Sequence, residues 1–120
     1  MDAQSREINR KEWKPFFDRI SRHYKGRVID LEFFEEGKPV HHLGRGLPFI
    51  GVTAEGGGGR NDLAIEVIAG GTDEQLLTHV VSSPQHVWMK QEANGGDNAL
   101  GIESADGSTL VIEFAASEVG

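Results

Sequence analysis

The chain has 120 residues, of which 38% are hydrophobic and 26% charged, the size and composition of one globular domain. It contains no cysteine, which excludes disulfides, thiolate metal sites and cysteine nucleophiles. No apolar run approaches the roughly 20 residues of a membrane-spanning helix, and the first residues lack the apolar middle of a signal peptide. We therefore expect a cytoplasmic protein.

The net charge of −7 is unevenly distributed. Residues 1–30 contain eight Lys and Arg against five Asp and Glu, a balance of +3, whereas residues 31–120 contain four against fourteen, a balance of −10. The acidic majority argues against general binding to nucleic acid. Two interpretations of the basic segment remain open. It helps a helix associate with an acidic sheet, or it docks on an acidic partner or on RNA.

Residues 8–26 are the only segment with a clear helical period, and residues 1–7 before it are expected to be frayed. The apolar side chains that share one helical stripe are Trp13, Phe16, Phe17, Ile20 and Tyr24. Asn9 is suited to the N-cap and Gly26 to a left-handed C-cap. Pro15 conflicts with one continuous helix. Either the helix kinks there, or it restarts with Pro15 in its first turn.

From residue 27 to residue 115 the apolar period changes to 2, which predicts six or seven short antiparallel strands. Residues 72–82 fit either a helix or a strand, and we favour a strand because Ser82-Ser83-Pro84 would end a helix early. The predicted fold is α+β and mostly β. A single domain spans residues 1–120, with the helix packed on an antiparallel meander that forms a small barrel or a strongly bent sheet.

The last hairpin has a predictable register. A three-residue loop, Ala105-Asp106-Gly107, pairs Ile102 with Leu110 and Leu100 with Ile112, which keeps the apolar face coherent. A two-residue loop would mix charge into both faces. We therefore predict the three-residue loop, with Gly107 in a left-handed conformation. The expected core combines this hairpin with the helix and the first strand: Trp13, Phe16, Phe17, Ile20, Leu31, Ile102, Leu110 and Ile112.

The histidines are the first candidates for chemistry. His79 and His86 flank a turn, and a two-residue turn would place His86 opposite Val81 and His79 opposite Trp88. The two imidazoles would then lie on one face, about 7–8 Å apart at Cβ. A zinc or nickel ion could bridge them with a third ligand, but no HxH or HExxH spacing supports this. The two histidines are weak metal candidates, and we expect no cofactor.

Other motifs are less specific. The glycine run 56–59 with Arg60 lacks the lysine and the following helix of a phosphate loop. The acidic pairs, Glu35-Glu36, Asp73-Glu74 and Glu103 with Asp106, lie in turns or on solvent faces, and no nucleophile elbow surrounds any serine. No catalytic residue is therefore assigned. Trp88 is either a core residue or an aromatic side chain on a binding face.

The chain resembles a small bacterial family known only as a domain of unknown function. The similarity covers most of the chain, and the helix motif WxxFF is its most specific part. The shared residues are Glu12-Trp13, Phe16 to Ser21, Gly26-Arg27, Ile29, Leu31, His79, Ser83-Pro84, Val87, Leu100, Ile102-Glu103, Ala105 to Gly107, Thr109-Leu110, Ile112 and Phe114. The resemblance implies a cytoplasmic bacterial domain and no particular chemistry.

Three functions remain open. The first is a non-enzymatic interaction or ligand-binding module with a protein or small-molecule partner, which could be a homodimer through a strand edge or through the aromatic helix. The second is a small metal- or ligand-dependent sensor or enzyme using His79 and His86. The third is RNA binding through the helix face that carries Arg10, Lys14 and Arg22, although nucleic acid is disfavoured by the acidic sheet.

Overall fold

A computed structural model describes residues 4–56, 63–70, 75–91 and 98–115. One helix, α1, spans Trp13–Tyr24 and follows a 3₁₀ turn at Arg10–Glu12. The eight strands are β1 (Gln4–Glu7), β2 (Val28–Phe34), β3 (His41–Glu55), β4 (Ala64–Gly70), β5 (Leu76–Ser82), β6 (Pro84–Gln91), β7 (Asn98–Ser104) and β8 (Thr109–Phe114). The predicted mostly-β class with an N-terminal helix is therefore confirmed.

The strands form one antiparallel sheet in the order β1-β6-β7-β8-β2-β3-β4-β5. β5 lies at one edge and runs into β6 through Ser83 alone, although β6 is second from the opposite edge. The sheet is therefore strongly bent, and its described strands do not close into a barrel. In the part of the chain that the structure describes, no helix is both long and apolar enough to cross a membrane.

The long strand β3 joins the two halves of the bent sheet. Its first part pairs with β2 and its second part with β4. The change of partner occurs around Pro48, which lacks an amide hydrogen. Pro48 thus stands inside a continuous strand, at the point where β3 exchanges β2 for β4. Gly46 has a φ of 66° just before it, and the carboxylate of Asp30 accepts the Gly46 amide at 2.8 Å.

The helix begins where Pro15 permits it. Asn9 caps the 3₁₀ turn, since its Oδ1 accepts the Lys11 amide at 3.2 Å, and α1 then starts at Trp13 with Pro15 in its first turn. Of the two predicted alternatives, the restarted helix is the correct one. The helix is shorter than residues 8–26 because a turn with a left-handed Gly26 (φ 86°) directs the chain into β2.

The concave face of the sheet and α1 enclose the core. All eight side chains expected in the core are buried, and Phe17, Leu31, Ile102 and Ile112 have no exposed surface. Ser21 adds a polar contact between α1 and β3. Its hydroxyl accepts the Val52 amide at 2.9 Å and donates to the Val52 carbonyl at 3.0 Å. The helix is thus fixed against the sheet by apolar packing and one paired hydroxyl.

Residues 4–7 are not frayed, contrary to the sequence-based expectation. They form β1, which pairs with β6 and makes the strand total eight rather than six or seven. The amide of Ile8 continues this attachment by donating to the Val87 carbonyl at 2.7 Å. Ile8 itself is 2% exposed, and its carbonyl accepts Nε1 of Trp13 at 3.0 Å. This apolar anchor compensates for the polar sequence of β1.

The register of the last hairpin is confirmed. Ile102 pairs with Leu110 and Leu100 with Ile112, and Gly107 has a φ of 91°. The oxygen Oδ1 of Asp106 accepts both the amide and the hydroxyl of Ser108, at 2.9 and 2.7 Å, which closes the loop. The strand assignment is also correct for residues 76–82, whereas residues 72–74 lie outside the described part of the chain.

Replacing Phe17 by Ala tests the packing of α1. The side chain is fully buried, so the substitution leaves a large cavity, and we expect a loss of about 3–5 kcal/mol in the free energy of unfolding. Urea denaturation measures this loss. The neighbouring Asp18 is exposed, and Asp18→Ala is the matched control with an expected change within about 0.5 kcal/mol. A loss below about 1 kcal/mol for Phe17→Ala would contradict its core position.

Candidate functional site

The two edges of the sheet differ in length and charge. β1 has four residues and carries Arg6 and Glu7, whereas β5 has seven residues, LLTHVVS, with no acidic, lysine, arginine or proline side chain. Charged residues on an edge strand discourage pairing with another chain. β5 lacks this protection, and among the described strands it pairs only with β4. It is therefore the open edge of the sheet.

An apolar surface accompanies this open edge. Leu76 and Val80 are 64% and 51% exposed and lie on the outer face of β5, and Ile50 on β3 is 37% exposed. A Cβ atom built on Gly70 would lie 3.0 Å from Cδ1 of Ile50 and 3.6 Å from Cδ2 of Leu76, so these two side chains are neighbours. We call Ile50, Leu76 and Val80 the edge patch. Exposed apolar groups that adjoin free backbone groups are typical of an interaction surface.

The inner face of β5 is packed rather than exposed. His79 is half-buried, and its ring centroid lies 5.6 Å from that of Phe33 on β2. Burial lowers the pKa of His79, because the charged imidazolium loses solvation there. Val81 is 4% exposed on the same face. The alternation along β5 thus fixes which face is available to a partner.

His79 and His86 do not form a pair, and the predicted hairpin between them is wrong. β5 pairs with β4, where His79 faces Val67, and β6 pairs with β7, where His86 faces Glu103. Ser83 is a corner between two strands that do not pair, so the register assumed for a hairpin does not exist. Across the described ranges, no group of three or more His, Asp or Glu side chains is placed to hold a metal ion.

His86 instead contacts β1. Its Nδ1 lies 2.8 Å from Oε2 of Glu7, and both side chains are exposed. The hydrogen bond to Glu7 raises the pKa of His86, and the charges of Glu7 and Glu103 act in the same direction. This contact links β1 to β6 at the surface.

Trp88 lies on the outer face of β6 and is only half-buried, whereas its neighbour Met89 points inward and is 8% exposed. A Cβ atom on Gly101 of β7 would fall 2.5 Å from Cε2 and 2.6 Å from Cζ2 of Trp88. The indole therefore lies against the backbone of Gly101, in space that only glycine leaves open. Of the two roles considered from the sequence, a core residue and an aromatic side chain on an outer face, this position excludes the core.

The remaining residues identified from sequence are dispersed. His42 contacts Glu32 at 3.2 Å, Lys38 contacts Glu35 at 3.6 Å, and the pKa of Asp106 is lowered by its hydrogen bonds from Ser108. Three features named from sequence lie outside the described residues: the glycines at 57–59, Arg60 and the pair Asp73-Glu74. Of the other acidic residues named from sequence, Glu103 lies on β7, and no acidic side chain among the described residues is buried.

The three basic residues proposed for RNA binding have different environments. Nη2 of Arg10 donates to the Pro84 carbonyl at 2.9 Å, and its guanidinium lies 4.7 Å from the Trp13 ring centroid. Arg10 therefore has a structural role at the corner between β5 and β6. Lys14 and Arg22 are exposed on α1. RNA binding through this face stays a prediction.

Comparisons with known proteins give one match. A protein-family model described as "Family of unknown function (DUF5335)" matches residues 4–119. The searches of curated proteins and of solved structures gave no significant match. The functional argument therefore depends on the geometry of this chain.

Replacing Gly101 by Ala tests the position of Trp88. The new methyl group would overlap the indole, which must move outward, and we expect a loss of about 1–3 kcal/mol in stability. The Trp88 indole N–H resonance should shift, as measured by NMR. Gly51→Ala is the matched control, since its Cβ would meet only the Ser21 side chain at ordinary contact distances, 3.5 Å from Oγ and 3.8 Å from Cβ. Equal effects of the two substitutions would contradict this packing, and a Trp88→Ala background should remove the cost of Gly101→Ala.

The contact between His86 and Glu7 predicts a pH dependence. Because the pKa of His86 is raised in the folded state above its ordinary value of 6.5, its stabilising contribution is complete below that value and is lost as pH rises through the raised pKa. Urea denaturation of the wild type and of His86→Gln between about pH 5.5 and pH 9 measures this contribution to the free energy of unfolding. The difference in stability should shrink with rising pH, and Glu7→Gln should weaken this trend, since only the smaller effect of the Glu103 charge remains. A difference that grows with pH would contradict the assignment.

Proposed function

The chain belongs to a family of unknown function (DUF5335), and we propose that it acts as a small cytoplasmic, non-enzymatic interaction module whose partner at β5 is a second copy of the chain. The observation that carries the proposal is the open, uncharged edge of β5 beside the edge patch. Unpaired backbone amides and carbonyls along such an edge are satisfied when a further strand adds to the sheet. Two antiparallel copies of β5 would extend it continuously.

Symmetry restricts how two copies of β5 can pair. Suppose that the two-fold axis of an antiparallel pair places one residue directly opposite its own copy. Outward-facing side chains of one strand then lie beside outward-facing side chains of the other. If the register were instead centred between two successive residues of β5, outward-facing residues of one copy would lie opposite inward-facing residues of the other. Because the inner face of β5 is packed against Phe33, only the first arrangement keeps both cores intact.

An axis through Thr78 makes the best use of the edge patch. It places Leu76 opposite Val80 of the second copy and Thr78 opposite Thr78. The two most exposed apolar side chains of the described residues then cover each other. It also confines the pairing to residues 76–80 and avoids the end of β5 that runs into the Ser83 corner. Direct cross-strand pairs of this kind contribute roughly 0.2–1 kcal/mol each.

Charge also favours a second copy at this position. The chain has a net charge of −7, and most surface-to-surface encounters between copies are therefore repulsive. β5 has no acidic side chain, and the Glu66 side chain on β4 is set one strand back from the edge, opposite Val80. The open edge is thus a place where two copies can approach without placing acidic groups directly opposite one another.

Analytical ultracentrifugation tests the proposal. A short strand pairing belongs to the class of small, transient interfaces, so the wild type should dimerise reversibly at about 10–300 µM. Leu76→Lys and Val80→Lys should each weaken dimerisation at least about tenfold, because they replace apolar cross-strand contacts by a charge on the edge. Val40→Lys, at an exposed valine outside the sheet, is the matched control and should leave the dimer unchanged. A wild type that remains monomeric throughout this range would refute self-association at β5.

A cysteine cross-link tests the register. The chain has no cysteine, so Thr78→Cys introduces a single thiol per copy, adjacent to its symmetry mate at the proposed axis. Mild oxidation should give a covalent dimer. Thr53→Cys places the thiol on the exposed outer face of β3, away from the edge, and should not cross-link. Dimerisation without a Thr78 cross-link would contradict this axis.

A further inference from the structure

A cleft lies between α1 and the strands β1 and β6, at the end of the strand order opposite to β5. Its volume is about 330 Å³. We propose that this cleft binds a small organic oxyanion, namely a phosphate or carboxylate group attached to one small aromatic ring system. The inference rests on the charge, floor and size of the cleft, and it is independent of self-association through β5.

Basic side chains from two elements line the rim of the cleft. Arg19 and His23 are one turn apart on α1, and Arg6 reaches the same cleft from β1. No aspartate or glutamate is among the lining residues, although the chain as a whole carries a net charge of −7. The cleft is therefore a local concentration of positive charge, which complements an anionic ligand.

The charges of the two arginines are not neutralised by acidic side chains of the described residues. Among the described residues, neither Arg6 nor Arg19 forms an ion pair with an acidic group. The guanidinium of Arg19 lies 5.6 Å from the ring centroid of Phe16, which holds it over the cleft by a cation–π contact. Guanidinium groups bind carboxylate and phosphate oxygens through paired hydrogen bonds, so they suit an oxyanion better than a halide.

The floor of the cleft is apolar. Phe16, Ile20 and Met89 line it and are 3%, 6% and 8% exposed, so their positions are fixed by the core beneath them. A ligand that carried only a charge would leave this surface in contact with water. An apolar ring on the ligand would cover it, and a methionine adapts well to an aromatic neighbour.

The size of the cleft limits the ligand. Small-molecule sites have volumes of about 300–1,000 Å³, and the cleft stands near the lower end of this range. One small aromatic ring system, monocyclic or bicyclic, with one oxyanion group fits this volume, whereas a dinucleotide or a long acyl chain does not. The preferred ligand class is therefore an aryl phosphate, an aryl carboxylate or a molecule of similar shape.

Titration calorimetry and NMR with four probes test the proposal. The probes are 2-naphthyl phosphate, 2-naphthoate, the neutral 2-naphthalenemethanol and inorganic phosphate. At least one naphthyl anion should bind with a Kd of about 1 mM or tighter and at least about tenfold more tightly than the neutral ring or the inorganic ion. Comparison of the two naphthyl anions identifies the preferred oxyanion. Resonances of Phe16, Ile20 and Met89 should shift, and raising the salt concentration should weaken binding.

Substitutions of single arginines locate the binding site. Arg19→Gln and Arg6→Gln should each weaken binding of the naphthyl anion at least about fivefold, through loss of one charge-assisted contact. Arg22→Gln removes the same charge from an exposed position on α1 that does not line the cleft, and it should leave the affinity unchanged. Thermal unfolding of each variant verifies that the fold is retained.

Three results would overturn the proposal. In the first, neither naphthyl anion binds at about 5 mM. In the second, the neutral 2-naphthalenemethanol binds as tightly as the naphthyl anions. In the third, Arg22→Gln and Arg19→Gln weaken the binding of the naphthyl anion equally. The first would show that the cleft takes no such ligand. The second would show that the oxyanion is not recognised. The third would show that the effect arises from net charge rather than from the cleft.

Discussion

The single-residue connection between β5 and β6 is the constraint on which the architecture depends. Five strands separate these two strands in the sheet order. In a flat sheet with strands about 4.8 Å apart, they would lie about 29 Å from each other. One residue spans only about 3.5 Å. The sheet must therefore bend until β5 approaches β6, and this bend creates the concave face on which α1 packs.

The corner itself is held by contacts from two other parts of the chain. Ser83 has a φ of 51°, a conformation that costs a non-glycine residue about 1–2 kcal/mol. Its carbonyl accepts the Ala105 amide at 2.9 Å, and the next carbonyl, that of Pro84, accepts Arg10 at 2.9 Å. The β7–β8 hairpin and the segment before α1 thus both hold the corner. This explains why the 3₁₀ turn and β1 dock beside β6, where they complete the N-terminal side of the core.

The sequence predicts local structure well because burial leaves a periodic pattern. The spacing from Trp13 to Tyr24 located the helix, Pro15 defined the alternatives for its start, and the need for a coherent apolar face determined the loop at residues 105–107. A periodic pattern, however, does not specify which strand pairs with which. Consecutive strands are neighbours roughly two-thirds of the time. The expected proximity of His79 and His86 relied on that tendency, which fails between β5 and β6 as it does between β1 and β2.

Features of the candidate sites were missed for related reasons. β1 has no apolar alternation, and its attachment depends on Ile8, on backbone pairing and on the contact between Glu7 and His86. Because the sequence did not predict β1, it could not locate Arg6, which lies on this strand and lines the cleft beside α1. Likewise, the sequence of β5 indicates a strand but not an edge. The sequence alone could not show whether Trp88 is in the core. Its ring packs on Gly101, and this neighbour is known only once the register of β6 on β7 is known.

The structure also clarifies the uneven charge distribution. A basic helix on an acidic sheet suggested electrostatic association between the two, yet none of the ion pairs among the described residues joins α1 to the sheet. Apolar packing and the Ser21 hydroxyl hold α1 in place instead. Exposed charges that the fold does not require contribute little to stability. Their concentration beside the cleft is instead the basis of the proposed ligand site, at the end of the strand order opposite to the uncharged strand β5.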